Sequence, residues 1–94
     1  MNAHQFTESL AATTPPDNAS VYLQALWYDS KGDWKKAHEL IQDLPDDNAS
    51  WLHAYLHRKE GDAWNADWWY RKAGKQQPQF SLSEEWDQLV SAFL

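Results

Sequence analysis

The sequence predicts an all-α fold in which two helix-turn-helix repeats form a short stack, closed by a C-terminal capping helix. Gly-Asp occurs at residues 32–33 and again at residues 61–62, and Asp-Asn-Ala-Ser occurs at residues 17–20 and again at residues 47–50. Between these landmarks apolar residues recur three and four positions apart, as they do on one face of a helix. Turn signals and helix starts that recur after about thirty residues predict repeated helical hairpins.

Length and composition set the class of protein. The 94 residues suffice for one domain, residues 1–94, and the formal net charge of −6 argues against a nucleic-acid partner. The chain contains no cysteine, which excludes disulfides and thiolate sites. No apolar run is long enough to span a membrane, and the first 20 residues contain no Lys or Arg. We therefore expect a cytoplasmic protein without a membrane partner.

The N-terminal segment, residues 1–12, is predicted to form a short helix. Phe6 and Leu10 lie four positions apart, so both face the same side of such a helix. Pro15 and Pro16 follow, and the residue before a proline is pushed out of the helical region. The helix should therefore end before the prolines and cover one end of the stack.

The first repeat is predicted at residues 17–44. Asp17 or Asn18 is expected to cap a helix that runs to about Lys31, where Gly32-Asp33 turns the chain. A second helix should then occupy about residues 34–43 and face its small and aliphatic residues inward. This repeat is therefore one antiparallel hairpin.

The second repeat is predicted at residues 47–78. Gly61 follows the first helix at the place where a left-handed backbone is common, and Asp62 can cap the second helix. That second helix has apolar residues at i, i+3, i+4 and i+7, namely Ala66, Trp69, Tyr70 and Ala73. Its small residues allow close approach of a neighbouring helix, and its aromatic residues fill the space beside them.

The last helix, residues 82–94, is predicted to cap the stack. Ser81 and Glu84 have the spacing of a capping box, and an apolar stripe follows at Trp86, Leu89, Val90 and Phe93. Two repeats leave an apolar face that needs a cover. We expect this helix to cover Trp64 and Trp68 as well.

The residues around both turns resemble the tetratricopeptide repeat. The second unit has Ala54, Gly61-Asp62, Ala66, Tyr70, Ala73 and Pro78; the first keeps Ala25, Tyr28, Gly32-Asp33 and Ala37 but has Ile41 and Leu44 at the later positions. The resemblance implies a right-handed stack of the two hairpins. The string HRKEGDxxNAxxWY at residues 57–70 also resembles a family of small uncharacterised bacterial proteins, which implies no activity.

The tetratricopeptide resemblance implies a concave groove that is lined by the first helix of each repeat and binds a peptide. In this sequence the positions that correspond to the groove of the tetratricopeptide repeat are Tyr22, Leu26, Asp29, Trp51, Tyr55, Arg58 and Lys59. Aromatic and basic residues are typical of interface hot spots, so we expect a protein-interaction module for an acidic, partly apolar peptide. Alternatively, Trp51 and Tyr55 pack beneath the N-terminal helix and no groove is open. Self-association as a structural homodimer is a further alternative.

Metal binding and catalysis are two alternative functions. His53 and His57 lie four apart on one helix and can contact one metal ion, but a site would need Asp67 or another distant ligand. The chain has no Ser-His-acid arrangement and no glycine-rich phosphate loop, so we expect neither an enzyme nor a cofactor. A catalytic alternative depends only on the proximity of His57, Arg58, Glu60 and Asn65 to one turn.

Overall fold

The computed structural model describes all 94 residues and contains six helices and no strand. The helices are α1 (Ala3–Ser9), α2 (Val21–Ser30), α3 (Trp34–Ile41), α4 (Asp47–Glu60), α5 (Ala63–Lys72) and α6 (Leu82–Phe93). The predicted all-α class is confirmed. None of the six helices has both the length and the apolar character needed to cross a membrane.

Short polar side chains start the helices. Asp33, Asp62 and Ser81 each accept a hydrogen bond from the backbone N–H three residues on, which satisfies a donor that the helix itself cannot pair. The expected cap at Asp17 or Asn18 is wrong, because Ser20 caps α2. Residues 17–18 instead form a turn after the prolines, in which the Ala19 N–H donates to the Pro16 carbonyl at 3.1 Å.

Both Gly-Asp turns have the same backbone geometry. Gly32 and Gly61 adopt left-handed φ angles of 87° and 90°. The backbone N–H of the following Asp then donates to a carbonyl of the preceding helix. Asp33 donates to the Tyr28 carbonyl and Asp62 to the His57 carbonyl, at 2.9 Å in each case. These bonds reverse the chain at equivalent places and produce two helical hairpins, α2–α3 and α4–α5.

The repeated alanines lie in the buried cores of the two hairpins. Ala25, Ala37, Ala54 and Ala66 are all fully buried, as expected for small residues at helix crossings. The α3 helix also packs against α4, where the Trp34 indole N–H donates to the Leu56 carbonyl at 2.8 Å. This contact joins the two hairpins.

The terminal helices complete the core. The α6 helix packs against α2 and α4, which are the first helices of the two hairpins. Phe6 of α1 is fully buried, and its ring centre lies 5.9 Å from that of Trp86 on α6. The Trp27 indole N–H donates to the Ser9 carbonyl at 3.1 Å and fixes the end of α1. The side of the molecule expected to form a groove is therefore occupied by α6.

Candidate functional site

The seven residues predicted to line the groove lie on α2 and α4, and Tyr22, Trp51 and Arg58 contact α6 directly. Leu26 and Tyr55 are buried in the core. The Tyr22 ring stacks on Phe93 of α6 at 4.9 Å between ring centres, and Trp51 meets the same ring at 5.8 Å.

The apolar stripe of α6 packs against the side on which an open groove was expected, and a depression of about 420 Å³ is left beside Asp29, Tyr55 and Lys59. Peptide binding on this side stays a prediction. The alternative placed Trp51 and Tyr55 beneath the N-terminal helix; Trp51 contacts Phe93 and Glu85 of α6 instead. Tyr55 is buried and lies beside residues of both the N-terminal segment and α6.

Glu85 of α6 anchors the helix in this place and is only 1% exposed. One carboxylate oxygen accepts from Arg58 Nη1 at 2.9 Å; the other accepts from Trp51 Nε1 at 3.2 Å and from the Tyr70 hydroxyl at 2.6 Å. Arg58 also donates to the Phe80 carbonyl. Burial, and then the hydrogen bond to Glu85, raise the pKa of Tyr70, so the phenol stays protonated and donates. Arg58 and Trp51 therefore hold α6 in place.

Lys59, whose side chain is 39% exposed, pairs with a buried acid. Its ammonium lies 2.9 Å from a carboxylate oxygen of Asp29, which is 2% exposed. Burial, followed by the nearby charges of Asp29 and Glu85, raises the pKa of Tyr55. Because a buried carboxylate is costly without a partner, Lys59 neutralises a charge that the fold has already buried.

The α6 helix lies where the sequence predicts a bound peptide, and it has the acidic, partly apolar character predicted for that peptide. It is an amphipathic helix with an acidic residue, Glu85, on the same face as Trp86 and Leu89. Glu85 lies in the first turn of α6, where an acidic residue stabilises the helix dipole, so its presence there does not by itself indicate burial. The signal that could have placed it inside is its spacing, since Glu85 lies four residues before the buried Leu89.

The outer face of α5 carries what we call the tryptophan stripe, formed by Trp64 and Trp68 with Asp67 and Arg71. Trp64 is 83% exposed and Trp68 52% exposed, and these four residues line a shallow depression of about 170 Å³. Arg71 Nε lies 3.0 Å from an Asp67 oxygen. The expectation that the last helix covers these rings is wrong, because α6 packs against α2 and α4 instead.

Three histidines meet where α3 packs against α4, and we call them the histidine cluster: His38, His53 and His57. His38 Nε2 lies 2.9 Å from His53 Nε2, and one ring nitrogen of each histidine lies within 4.8 Å of the other two. His53 and His57 are buried, at 5% and 8% exposed. His57 Nδ1 lies 3.1 Å from a Glu60 oxygen.

Burial keeps two of these imidazoles neutral. Desolvation, then the charges of His38, His57 and Lys72, lower the pKa of His53 to about 3. Desolvation and His57 also lower the pKa of His38. At neutral pH, one of the two facing nitrogens therefore donates and the other accepts, since two imidazolium groups could not approach this closely.

The structure changes the list of partners proposed for His53 and His57. His38 joins them, whereas Asp67 is paired with Arg71 on the outer face of α5. In the catalytic alternative, the Arg58 guanidinium bonds to Glu85 of α6, whereas the His57 imidazole lies with His38 and His53. In the sequence, only one signal could have shown that His38 faces inward: Trp34 lies four residues before it and Ile41 three residues after it, so the three residues share a helix face.

Comparison of the chain with protein-family models, curated proteins and solved structures found no match. The resemblance to tetratricopeptide repeats stays a prediction, as does the resemblance to small bacterial proteins. What the molecule offers for a function is the geometry of the occupied groove, the tryptophan stripe and the histidine cluster.

We expect acid to destabilise the metal-free protein through His53. The unfolded imidazole binds a proton below its ordinary pKa of about 6.5, whereas the folded one stays neutral until about pH 3. The free energy of unfolding should therefore fall as the pH drops from about 6.5 towards 3, with this one proton contributing at most about 1.4 kcal/mol per pH unit. Urea unfolding with a chelator present, between pH 7 and pH 5, measures that slope.

Two variants assign the acid effect. His53→Phe should flatten the slope, while the exposed His4→Gln should leave it unchanged. A slope that His53→Phe does not alter would show that the buried imidazole is not its source.

Proposed function

We propose that the protein is a small tetratricopeptide-like interaction module, a binding protein and not an enzyme, whose contact surface is the tryptophan stripe. The single observation that carries this proposal is the exposure of Trp64 and Trp68 on the outer face of α5. Two hairpins with equivalent left-handed glycine turns support the tetratricopeptide-like part of it.

The stripe has the composition and spacing of a helical binding face. Trp64, Trp68 and Arg71 lie at i, i+4 and i+7, as do the anchor residues of helices that bind in a groove. Tryptophan and arginine are the residue types most enriched among interface hot spots. The other five tryptophans are buried or half-buried, namely Trp27, Trp34, Trp51, Trp69 and Trp86. The two exposed rings therefore do not follow from a general excess of tryptophan.

The occupant that fits this surface best is a second copy of the chain. The stripe carries one anion, Asp67, and one cation, Arg71, beside its two rings, so it is self-complementary in charge. If the α5 helices of two copies packed against each other in antiparallel orientation, with residue 68 near the centre of the contact, Arg71 of one copy would lie over Trp64 of the other. That contact gains cation–π attraction, and the same arrangement repeats symmetrically on the other side of the two-fold axis.

The expected dimer is weak. Fully burying a tryptophan removes roughly 150–250 Å² from water, so four partly exposed rings account for about 400–700 Å². With their neighbours this area stays at the low end for specific interfaces, and we expect a dissociation constant of about 10 μM or weaker. Two chains of charge −6 repel each other, so salt should strengthen the dimer. An acidic ligand on a basic site would show the opposite dependence on salt.

Sedimentation equilibrium on the full chain, from about 10 μM to 1 mM, tests this proposal. We expect concentration-dependent dimerisation that increases with salt and is lost in the Trp64→Gln/Trp68→Gln double variant. The control is Leu94→Gln, which removes an exposed large apolar residue outside the tryptophan stripe and should still dimerise.

A charge swap tests the antiparallel geometry. Arg71→Asp should weaken the dimer, because it removes the cation–π contact and leaves two acids on each stripe. Adding Asp67→Arg to that variant should restore part of the association. A wild-type chain that is monomeric throughout the concentration range, or a dimer that survives loss of both tryptophans, would contradict the proposed surface.

A further inference from the structure

The geometry points to a second site, unrelated to the tryptophan stripe: we propose that His38, His53 and His57 bind one divalent transition-metal ion, with zinc as the best fit. Glu60 supports this site through His57. The ion would bind three imidazole nitrogens and keep a fourth position for water or another small ligand.

Two helices bring the three rings together. His53 and His57 lie one turn apart on α4, and their ring centres are 4.8 Å apart. His38 reaches them from α3, with ring-centre distances of 4.6 Å to His53 and 5.3 Å to His57. Because both helices are held by the core, the three ligands are already in place before an ion binds.

Small side-chain rotations would convert this arrangement to a tetrahedral site, together with transfer of the Nε2 proton that lies between His38 and His53 to the Nδ1 of the same ring, so that both Nε2 lone pairs face the ion. Zinc–nitrogen bonds of 2.0–2.1 Å at tetrahedral angles place ligand nitrogens about 3.3–3.4 Å apart. The observed 2.9 Å between His38 Nε2 and His53 Nε2 would need to open by about 0.4 Å. The third nitrogen, within 4.8 Å of the others, would move in by about 1.5 Å at most.

Glu60 orients one of the three ligands. Its carboxylate lies 3.1 Å from His57 Nδ1, so it can accept that N–H and leave Nε2 unprotonated for a metal ion. Histidine ligands in metal sites usually donate their other N–H to such a carboxylate or carbonyl. A histidine pair that served only as core packing would not require this partner.

A neighbouring set of groups fits a metal less well. His57, Glu60 and Asp62 also approach one another, but Asp62 already accepts the Asn65 N–H as the cap of α5, at 3.2 Å. Glu60 and Asp62 lie at the surface, where water competes for their oxygens. Three imidazoles in a largely buried place favour zinc, cobalt, nickel or copper over magnesium and calcium, which prefer oxygen ligands.

Tryptophan rings flank the histidine cluster and supply a direct signal. Trp69 stacks on His53 at 3.8 Å between ring centres, and Trp34 stacks on His38 at 4.9 Å. An ion bound between the histidines would lie close to both indoles. A paramagnetic ion such as Co²⁺ should therefore quench their fluorescence.

Titration of the metal-free full chain with Zn²⁺ and with Co²⁺ tests the site. We expect one ion per chain by calorimetry, a rise in the midpoint of thermal unfolding, and visible Co²⁺ absorption typical of tetrahedral coordination. The control is His4→Gln, which removes the one histidine outside the histidine cluster and should bind as the wild type does.

Two variants separate ligation from folding. His38→Gln changes the half-buried ligand, so it should remain folded by circular dichroism while its affinity for Zn²⁺ falls at least tenfold. Glu60→Gln retains all three ligands and should weaken binding about 10- to 100-fold. The control for the loss of charge is Glu39→Gln, an exposed position on α3.

Three results of the metal titrations would overturn the proposed site. Absence of Zn²⁺ and Co²⁺ uptake by the wild-type chain would overturn the site and leave a neutral, hydrogen-bonded histidine cluster. Uptake that His4→Gln removes, or that folded His38→Gln retains in full, would also overturn it. Because Trp64 and Trp68 take no part, failure here leaves the self-association result unaffected.

Discussion

Glu85→Gln should lower the free energy of unfolding by about 2–4 kcal/mol. The carboxylate accepts from Trp51, Arg58 and Tyr70 and is almost fully buried. The amide removes the charge that pairs with Arg58 and presents its NH₂ group to donors, leaving buried groups without acceptors. Urea unfolding at neutral pH measures the effect, and the same variant should loosen α6.

The adjacent Glu84→Gln is the matched control. It makes the same chemical change at an exposed position of the same helix turn and should cost less than about 1 kcal/mol, mainly through the helix dipole. Equal effects of the two substitutions would mean that Glu85 does not anchor α6, and that Arg58 is free for another partner.

Lys59→Met should lower the free energy of unfolding by a similar amount, about 2–4 kcal/mol. The methionine fills much of the same space but leaves the Asp29 carboxylate buried without its counter-charge. Urea unfolding at neutral pH again measures the change. A lysine whose role were to attract a peptide could be replaced without this loss.

A second substitution tests the cause. In Asp29→Asn/Lys59→Met no charge remains at this pair, so much of the lost stability should return. The exposed Lys35→Met should be nearly neutral. A double variant no more stable than Lys59→Met would show that packing, and not charge, explains the loss.

Local signals in the sequence predicted the helices and turns. Gly61 and Asp62 specify a left-handed end and a capped start through their own backbone and side-chain chemistry, so they could be read without knowledge of distant contacts. The position of α6 could not be read in this way. The apolar stripe of α6 could pack on several faces of two helical hairpins. The face on which it packs is determined by the hydrogen bonds of Glu85, whose partners are 15 to 34 positions away in sequence.

The difference between local signals and distant contacts also explains which parts of the candidate sites could be predicted from the sequence. Spacing identified His53 and His57, which lie on one helix, but His38 comes from another helix and was missed. Arg58 and Lys59 had the composition of a binding surface, yet each pairs with a buried acid that composition cannot locate. Trp64 and Trp68 were read as a covered stripe, because exposed and buried aromatic residues look alike in sequence.

The position of α6 has a consequence for binding. A peptide that entered the groove would have to displace an internal helix with a buried carboxylate, an aromatic stripe and the contact between Phe6 and Trp86. The stripe on α5 requires no such displacement, since its rings already face water. This difference is why we place the contact surface on α5.

The most direct test follows the indole N–H signals of all seven tryptophans in ¹H–¹⁵N spectra as the concentration of the full chain rises. We expect the signals of Trp64 and Trp68 to shift, while those of Trp27, Trp34 and Trp51 keep their positions because their N–H groups bond internally to Ser9, Leu56 and Glu85. Concentration-dependent shifts at Trp51, with Trp64 and Trp68 unchanged, would contradict the account and return the binding surface to the groove.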